Sequence, residues 1–512
     1  MKKLELLELA KVAYDKDQLS ELDSAIDFAS KAHAGQKRRS GEAYVSHPMS
    51  VAATLIDWGM DSDSVIAGVL HDVVEDTDVT LDEVENLFGG DVAQLVDGVT
   101  KISQVRAGMD DLANYLPQTR DNLSKLLIAV GKDVRVLIIK LADRLHNLKT
   151  LQHMPKDKQT KIARESLEVF APMADRLGMG QVRSEMEELA FRYLDPAQFK
   201  RTQNLIRRRI GKSTRTVGII IEDVKKALKQ QNIKGEINGR VKGVYSLYRK
   251  LQKVGGDIND VYDLIALRII VESKEDCYRV LGVLHTLYQP MIQRIKDYVA
   301  APKPNGYQSL HTTVITPSKQ IVEFQIRTYD MHEFAERGLA ASFHYHDQKN
   351  SNDYGKGKAA ELPANLQWIS QLQDVADRLG SGEDISREQL NIDLFSDRIF
   401  LYSPKGDIYN LPEGSLPLDF AYLVHSVFGR HAYSFNVNGK IQAFNEPLHN
   451  GDVVEVITRS SVQPKKDWLN HVITTHARTK LRSQLRSDGL IESISHAAAI
   501  IRDKAMKKKS KK

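Results

Sequence analysis

One short stretch crowds a histidine and three carboxylates together: His71-Asp72-Val73-Val74-Glu75-Asp76-Thr77. It follows the apolar run Ser64-Val65-Ile66-Ala67-Gly68-Val69-Leu70, the pattern of a buried helix. Burying charge costs several kcal/mol unless the charge is paired or bound to a metal. Carried on as a helix, His71 and Glu75 are four apart, as are Asp72 and Asp76, so the four side chains form a broad strip. His71 and Asp72 can then converge on a metal while Glu75 and Asp76 sit one turn further on. A His-Asp doublet alone usually marks a surface turn, but two other segments supply partners. SHPMSVAA puts His47 just before Pro48 at a helix start. KLADRLHNLKTL puts Asp143 and Asn147 on one face of an otherwise apolar helix. His47, His71, Asp72 and Asp143 make a mixed nitrogen and oxygen set that suits manganese, iron or zinc, with positions left for water and substrate. Water on such a metal can attack phosphorus, and Glu75 and Asp76 are placed to orient it or take its proton. Satisfied core polar groups and helix caps are the competing reading, and it accounts for any one of these residues better than for the set. His33, His146 and His153 read as ordinary helix residues.

A second constellation lies further on. GRVKGVYSLYRKLQK carries Arg240, Lys242, Ser246, Arg249 and Lys250, cations and hydroxyls that fit a polyphosphate, although a solvated basic helix has the same composition. Asp263 opens DLIALRIIV, and in EFQIRT the alternation puts Glu323, Gln325 and Arg327 on one side of a strand. Carboxylates on adjacent strands, Asp263 and Glu323, can hold magnesium against a triphosphate. Asp263 and Arg268 are an odd number of residues apart, so a regular strand would separate them unless a bulge or strand end intervenes. IKDYVAAPKPNGYQSLH is a loop broken by proline and glycine that presents Tyr307 beside Asn305, Gln308 and His311, with Lys296 and Lys303 near. An exposed tyrosine stacking on a base gains ~1–3 kcal/mol.

The elements that must position these groups fall into blocks. Up to about Leu194 apolar residues recur at helical spacing and strand-like runs are scarce, so the first block is all-α. From about 237 to 345 β-rich runs alternate with helical stretches such as KEDCYRVLGVLHTLYQ, an α/β block. Residues 348–362 are polar, a linker, followed by one helix. From 393 to 457 short strands are divided by Pro-Lys-Gly-Asp and Asn-Gly turns, and a helical stretch with a lysine-rich tail closes the chain. The composition, 42% apolar and 27% charged, is that of a soluble globular protein, with no apolar run of the ~18 residues a membrane span needs. The single cysteine, Cys277, excludes an internal disulfide and any cysteine-rich zinc module, which points to a reducing, cytoplasmic setting. A net charge of +5 over 512 residues says little about nucleic acid; the basic residues crowd 200–253 and the final tail, which reads as a solvated end.

The set His…His-Asp…Asp resembles the HD phosphohydrolase superfamily. The fuller wording RRSGEAYVSHP, HDVVEDT, GVTKI and KLADRLHNLKTL resembles the hydrolase domain of the long RelA/SpoT homologues, which make and destroy the alarmones ppGpp and pppGpp. The resemblance implies manganese on His47, His71, Asp72 and Asp143, water assisted by Glu75 and Asp76, and guanine nucleotide on Arg38, Arg39, Ser40 and Asn147. PKPNGYQSLHTTV and EFQIRT resemble the synthetase domain of the same family. That implies transfer of the β,γ-pyrophosphate of ATP to the 3′-hydroxyl of GDP or GTP. Arg240 and Arg268 would flank adenine, Lys242, Ser246 and Lys250 would hold phosphates, and Asp263 and Glu323 would carry magnesium. Tyr307 would stack on guanine, with Lys296, Lys303, Asn305, His311 and Gln325 lining the same site. Arg294-Ile295-Lys296-Asp297 has the basic form of the bifunctional branch. The implied architecture is an all-α HD-type hydrolase domain (1–195), an α/β nucleotidyltransferase-like synthetase domain (196–347), a linker and helix (348–392), a small β-grasp TGS domain (393–457) and a basic helical tail (458–512).

The TGS resemblance implies contact with uncharged tRNA on the ribosome; no membrane partner is expected, since no apolar run is long enough to span one. Gly429-Arg430-His431 stands where Gly-His-Arg is common. The family usually writes Gly-Arg-Pro-Lys-His where this chain has Gly239-Arg240-Val241-Lys242-Gly243, and Ala-Ala-His-Trp where it has Ala340-Ala341-Ser342-Phe343. Asp175, usually histidine, is expected to lie outside both sites. The zinc-finger and ACT domains of the long homologues are not in this sequence, so either a naturally short form or a piece of a longer chain is expected; the lysine-rich ending reads as natural. A bifunctional alarmone synthetase and hydrolase is the first expectation; a hydrolase with a weak or inactive synthetase, and a tRNA- or ribosome-binding regulator, are the alternatives.

Overall fold

The computed structural model describes residues 1–107, 133–256, 265–303, 305–340 and 398–489, and the chain divides into two compact units, Met1–Gly380 and Ser381–Lys512. Asp263, Ser342, Phe343, the 348–392 segment and the lysine tail lie outside the described residues. No helix among those described is long and apolar enough to cross a membrane.

The first unit opens with eleven described α-helices: α1 (Lys3–Ala10), α2 (Lys16–Ala32), α3 (Ser46–Trp58), α4 (Ser62–Leu70), α5 (Val73–Asp76), α6 (Leu81–Phe88), α7 (Gly90–Ala107), α8 (Arg135–Lys149), α9 (Lys156–Glu165), α10 (Ala171–Arg176) and α11 (Gly180–Leu194). Every residue from Ser64 to Leu70 is buried, so α4 is a central helix rather than an amphipathic one. Its start is fixed by Asp61, whose carboxylate accepts from the Ser64 amide at 2.9 Å. α8 is buried from Val136 to Leu145, with Lys140, Asp143 and Arg144 among its apolar residues. Each of those charges has an answer from nearby: Lys140 pairs with Asp143 at 2.8 Å, and Arg144 pairs with Glu165 at 2.9 Å while lying over the Phe170 ring.

The long α12 (Pro196–Gln230) leads into a sheet of β1 (Gly235–Val241), β2 (Ile265–Val271), β3 (Gln289–Pro290), β4 (Lys296–Asp297), β5 (Leu310–Ile315) and β6 (Ile321–Thr328). The order is β1-β2-β6-β5-β3, with β4 also on β5; β2 and β6 run parallel and the other pairs antiparallel. Alternation divides the sheet. Leu267, Ile269, Val271, Val314, Phe324 and Ile326 face a core shared with Ile220, Val224 and Leu228 of α12 and with Cys277, Val280 and Leu284 of α14 (Lys274–Leu287). At ~1.5–3 kcal/mol for each fully buried large apolar side chain, this face is what holds the sheet together. The opposite face is polar. Asn238, Arg268, Gln325, His311 and Lys296 stand in one register row across β1, β2, β6, β5 and β4.

Between β1 and β2, α13 (Val244–Lys253) buries Val244, Leu247 and Leu251 against Phe191, Phe199 and Ile206. Its other side carries Ser246, Arg249 and Lys250. After β6, α15 (Tyr329–Arg337) ends at Gly338, and there the sheet domain meets the helical one. The Leu339 amide donates to the Leu177 carbonyl at 2.8 Å, and Asn305 Nδ2 donates to the Asp175 carbonyl at 3.0 Å. The approach is so close that a Cβ on Gly338 would lie 2.2 Å from Leu177 O.

The second unit has a hairpin of β7 (Arg398–Tyr402) and β8 (Ile408–Pro412), and a sheet of β9 (Ala432–Val437), β10 (Lys440–Gln442) and β11 (Val454–Thr458) in order β10-β9-β11. Asn438 and Gly439 take φ of 53° and 81°, as a two-residue type I′ turn requires, which explains the Asn-Gly in the sequence. α16 (Pro417–Val424) and α18 (Thr475–Ser487) pack Leu418, Ala421 and Tyr422 against Ala477, Leu481 and Leu485, and the short α17 (Ser426–Arg430) lies between them in sequence. The wholly buried Asp419 carboxylate joins α16 to α18. It accepts from the amides of Leu416, Ile473 and Thr474 and from the Thr474 hydroxyl.

Candidate active sites

The first site is built where α3, the end of α4, α5 and α8 meet. The stretch 71–76 is not one helix as its spacing suggests: α4 ends at Leu70 and α5 begins at Val73. The Gly68 carbonyl, which an unbroken helix would give to the Asp72 amide, accepts from the His71 ring at Nδ1, 2.8 Å away. That bond fixes the ring and directs Nε2 inward. His71 Nε2 is buried and makes no hydrogen bond, although Asp72 Oδ1 lies 3.1 Å from it. From α3, His47 Nε2 stands 3.2 Å from Asp143 Oδ1 and 3.6 Å from Asp72 Oδ2. One ligand atom each from His47, His71 and Asp143 fall within 4.8 Å of one another. Asp72 touches both histidines, while its Oδ2 also accepts from the Tyr44 hydroxyl at 3.0 Å.

The electrostatics favour a cation. Burial opposes a charged His71, yet the adjacent Asp72 outweighs it and raises the ring's pKa to about 9. Burial pushes His47 the other way, lowering it despite Asp143 and Asp72. Burial likewise resists ionisation of Asp72 and Asp143, but His71 for the one and Lys140 for the other hold both below the usual carboxylate range. A pocket whose carboxylates draw a proton onto His71 draws a divalent ion to the same atom, with release of that proton. Two imidazoles with buried carboxylates, one ring nitrogen left without a hydrogen bond, fit a transition metal of nitrogen and oxygen preference.

Around this centre, a hairpin closed by Lys37 and Ala43 turns Arg38 inward and leaves Arg39 and Ser40 exposed. Arg38 NH2 donates to Asn147 Oδ1 at 3.3 Å, and Asn147 Nδ2 donates to Asp143 at 2.5 Å. Glu75 and Asp76 both lie on α5. Two contributors escape the sequence reading. Tyr44, stacked on His33 at 4.7 Å, reaches Asp76 Oδ2 at 2.6 Å as well as Asp72; burial and the two carboxylates push its pKa far up. His146 is not an ordinary helix residue: its Nδ1 is 2.8 Å from His47 Nδ1 and 3.3 Å from Arg38 NH1. Its place one turn after Asp143 was the available signal.

The second site occupies the polar face of the sheet. Glu323 Oε1 lies 3.1 Å from His311 Nδ1 and accepts from Gln325 at 3.3 Å, while His311 Nε2 meets the Tyr307 hydroxyl at 2.9 Å. Lys303 lies over the rings of Tyr298 and Tyr307, and burial lowers its pKa. Burial also lowers that of His311, against the pull of Glu323. Lys296 pairs with His311 across β4 and β5. Arg268 and Arg327 converge on Glu336 at 3.1 and 3.2 Å. Arg240 is on β1 opposite Ala266, whose parallel partner is Glu323. Ser246 and Lys250 lie on α13 and Lys242 just before it. Gly243 abuts the helical domain, where an added Cβ would come 3.1 Å from Ser184 Oγ. Asp263, the second expected magnesium ligand, is outside the described residues. Asp175 is not outside both sites: its carbonyl holds Asn305, and its carboxylate pairs with Arg183 at 2.8 Å.

Residues 25–180 match the HD domain family, 239–350 the region found in RelA / SpoT proteins, and 398–458 the TGS domain. Among curated relatives, a GTP pyrophosphokinase of Myxococcus xanthus is 40% identical over 91% of this chain and 60% of its own length. A guanosine-3′,5′-bis(diphosphate) 3′-pyrophosphohydrolase of Aquifex aeolicus is 39% identical over 94% of this chain and 67% of its own. The bifunctional (p)ppGpp synthase/hydrolase SpoT of Escherichia coli is 37% identical over 96% and 68%. The chain thus spans between 60% and 68% of the lengths of these three relatives.

Proposed function

The chain belongs to the RelA/SpoT family, and from that premise we propose that it both hydrolyses and makes (p)ppGpp, at two separate sites in the first unit. In the hydrolase site His47, His71, Asp72 and Asp143 would hold one metal, manganese being the ion we assign. A metal bound there supplies a water acidic enough to act as a nucleophile near neutral pH. Arg38, Arg39, Ser40 and Asn147 bind the guanine nucleotide with its 3′-pyrophosphate toward the metal. Asp76, held by Tyr44, and Glu75 orient the attacking water and take its proton, and the bond cut joins the 3′-pyrophosphate to ribose. The observation that carries this reading is the buried cluster itself: one ligand atom each from His47, His71 and Asp143 within 4.8 Å of one another, with Asp72 Oδ1 3.1 Å from His71 Nε2.

In the synthetase site we assign ATP to Arg240 and Arg268 around adenine, with Lys242, Ser246 and Lys250 on its phosphates. GDP or GTP stacks on Tyr307, beside Lys296, Lys303, Asn305, His311 and Gln325. Asp263 and Glu323 would hold magnesium, which neutralises phosphate charge. Glu323, 3.1 Å from His311, is also placed to take the proton of the 3′-hydroxyl. Positioning and charge neutralisation do most of the work in such transfers. The TGS domain would contact uncharged tRNA on the ribosome, in the cytoplasm.

The test is release of pyrophosphate from ppGpp, with manganese and with chelator, by the wild type and by Asp72→Ala. Manganese-dependent release that Asp72→Ala abolishes is expected; no release by the wild type with metal present would sink the hydrolase half. ATP with GDP, and ATP with GTP, test the other half, and a failure of both there would leave a hydrolase only.

A further inference from the structure

Arg38 is tied to two of the proposed metal ligands, each through one intervening side chain. One path runs from Arg38 NH2 to Asn147 and on to Asp143. The other runs from Arg38 NH1 to His146 Nδ1, 3.3 Å away, and from there to His47 Nδ1 at 2.8 Å.

A histidine that holds a metal through Nε2 carries its hydrogen on Nδ1. For His47 the acceptor of that hydrogen is His146 Nδ1, 2.8 Å away. An imidazole nitrogen has one lone pair, so Arg38 NH1, 3.3 Å from the same atom, competes with His47 for it. With His146 accepting, His47 is the Nδ1–H tautomer, with its lone pair on Nε2. Nε2 is the atom that stands against Asp143 and Asp72. A ligating histidine needs this state, and it is set by whatever its other nitrogen bonds. With the hydrogen on the other nitrogen, His47 would present N–H to the metal position and could not bind.

We infer that His146 is a positioning residue of the hydrolase site: by accepting from His47 Nδ1 it holds His47 in its metal-binding tautomer, while Asn147 joins the nucleotide-binding arginine to the metal ligand Asp143. The inference rests on the hydrolase reading above. Coupling of this kind is reciprocal: if the metal strengthens the hold on nucleotide, nucleotide strengthens the hold on metal by the same factor.

Two substitutions separate hydrogen bonding from packing. His146→Phe keeps a ring of similar size and removes the acceptor. His146→Asn gives up volume but can place Oδ1 near the present Nδ1. The measurement is manganese affinity of the full chain by titration calorimetry, with no nucleotide present, beside the melting temperature of the metal-free protein. Loss of the partner behind a metal-bound histidine typically weakens binding about 10–100-fold, and His146→Phe is expected in that range. His146→Asn is expected within about threefold of wild type, since its carbonyl oxygen restores the acceptor. Wild-type affinity in His146→Phe, or equal losses in both variants, would overturn the inference while leaving the metal site standing. Absence of manganese binding by the wild type would overturn the metal reading itself, and the inference with it.

Discussion

Replacing Gly338 with alanine tests how the helical domain supports the proposed synthetase site. Gly338 has φ of 60° and ψ of −139°, a conformation that is costly for any residue with a side chain. An added Cβ would lie 2.2 Å from Leu177 O and 2.6 Å from Gly178 C and Met179 N. All three are main-chain atoms, so no rotamer change relieves the clash, and the α10–α11 turn must retreat to the 3.4 Å of ordinary contact. The backbone term costs about 1–3 kcal/mol. Loss of the 2.8 Å bond from Leu339 to Leu177 adds about 0.5–1.5 kcal/mol, for roughly 2–4 kcal/mol in all. Gly89→Ala is the control, because Gly89 also has a positive φ, 87°, but nothing lies within 4 Å of its Cβ position. It should show the backbone term alone. The end of α10, just before the α10–α11 turn, holds Asn305 through the Asp175 carbonyl, two residues from Tyr307. A displacement of about 1 Å at a positioning group can cost ~100-fold in rate, so pyrophosphate transfer to GDP should fall by about 10–100-fold. Hydrolysis of ppGpp, whose proposed residues lie on the 38–40 hairpin, α3, the α4–α5 junction, α5 and α8, should stay near the wild-type rate. Urea unfolding and the two assays decide it. If Gly338→Ala matched Gly89→Ala in stability and left transfer unchanged, the turn would not be a support of the synthetase loop.

Tyr44→Phe removes the hydroxyl that lies 3.0 Å from Asp72 and 2.6 Å from Asp76. A hydrogen bond to a carboxylate contributes about 1.5–3 kcal/mol, so hydrolysis should drop about 10–100-fold with transfer intact; an unchanged hydrolysis rate would refute the role given to Tyr44. Burial pushes the Cys277 thiol up to about 12, so the native protein should resist iodoacetamide at pH 8 while the denatured chain takes one equivalent. Fast labelling of the native protein would show that the core beneath the sheet is open.

What the sequence disclosed and what it withheld follow from the reach of each signal. Alternation has a period of two, so EFQIRT alone puts Glu323, Gln325 and Arg327 on one face, and the register of β5 and β6 bears this out. The Asn-Gly pair states its own turn for the same reason: the φ requirement is local. Spacing of four brought Asp143 and Asn147 together, and they are hydrogen-bonded. The losses lie where a partner comes from another element. His47 and His146 are 99 residues apart, and nothing along either helix announces that their rings meet. The break after Leu70 arises because a ring nitrogen competes for a backbone carbonyl, and periodicity is blind to that competition. Asp175 contributes to the second site through its carbonyl rather than its side chain, so no reading of residue types could have found it. A charged residue on a buried helix therefore says that a partner must exist, because burial without one is too costly. Which partner it is depends on the tertiary packing: Lys140 and Asp143 find each other within α8, Arg144 finds Glu165 on α9, and His47 finds Asp143 and His146. The cost of burial is legible in sequence; the partner that meets it is set by packing.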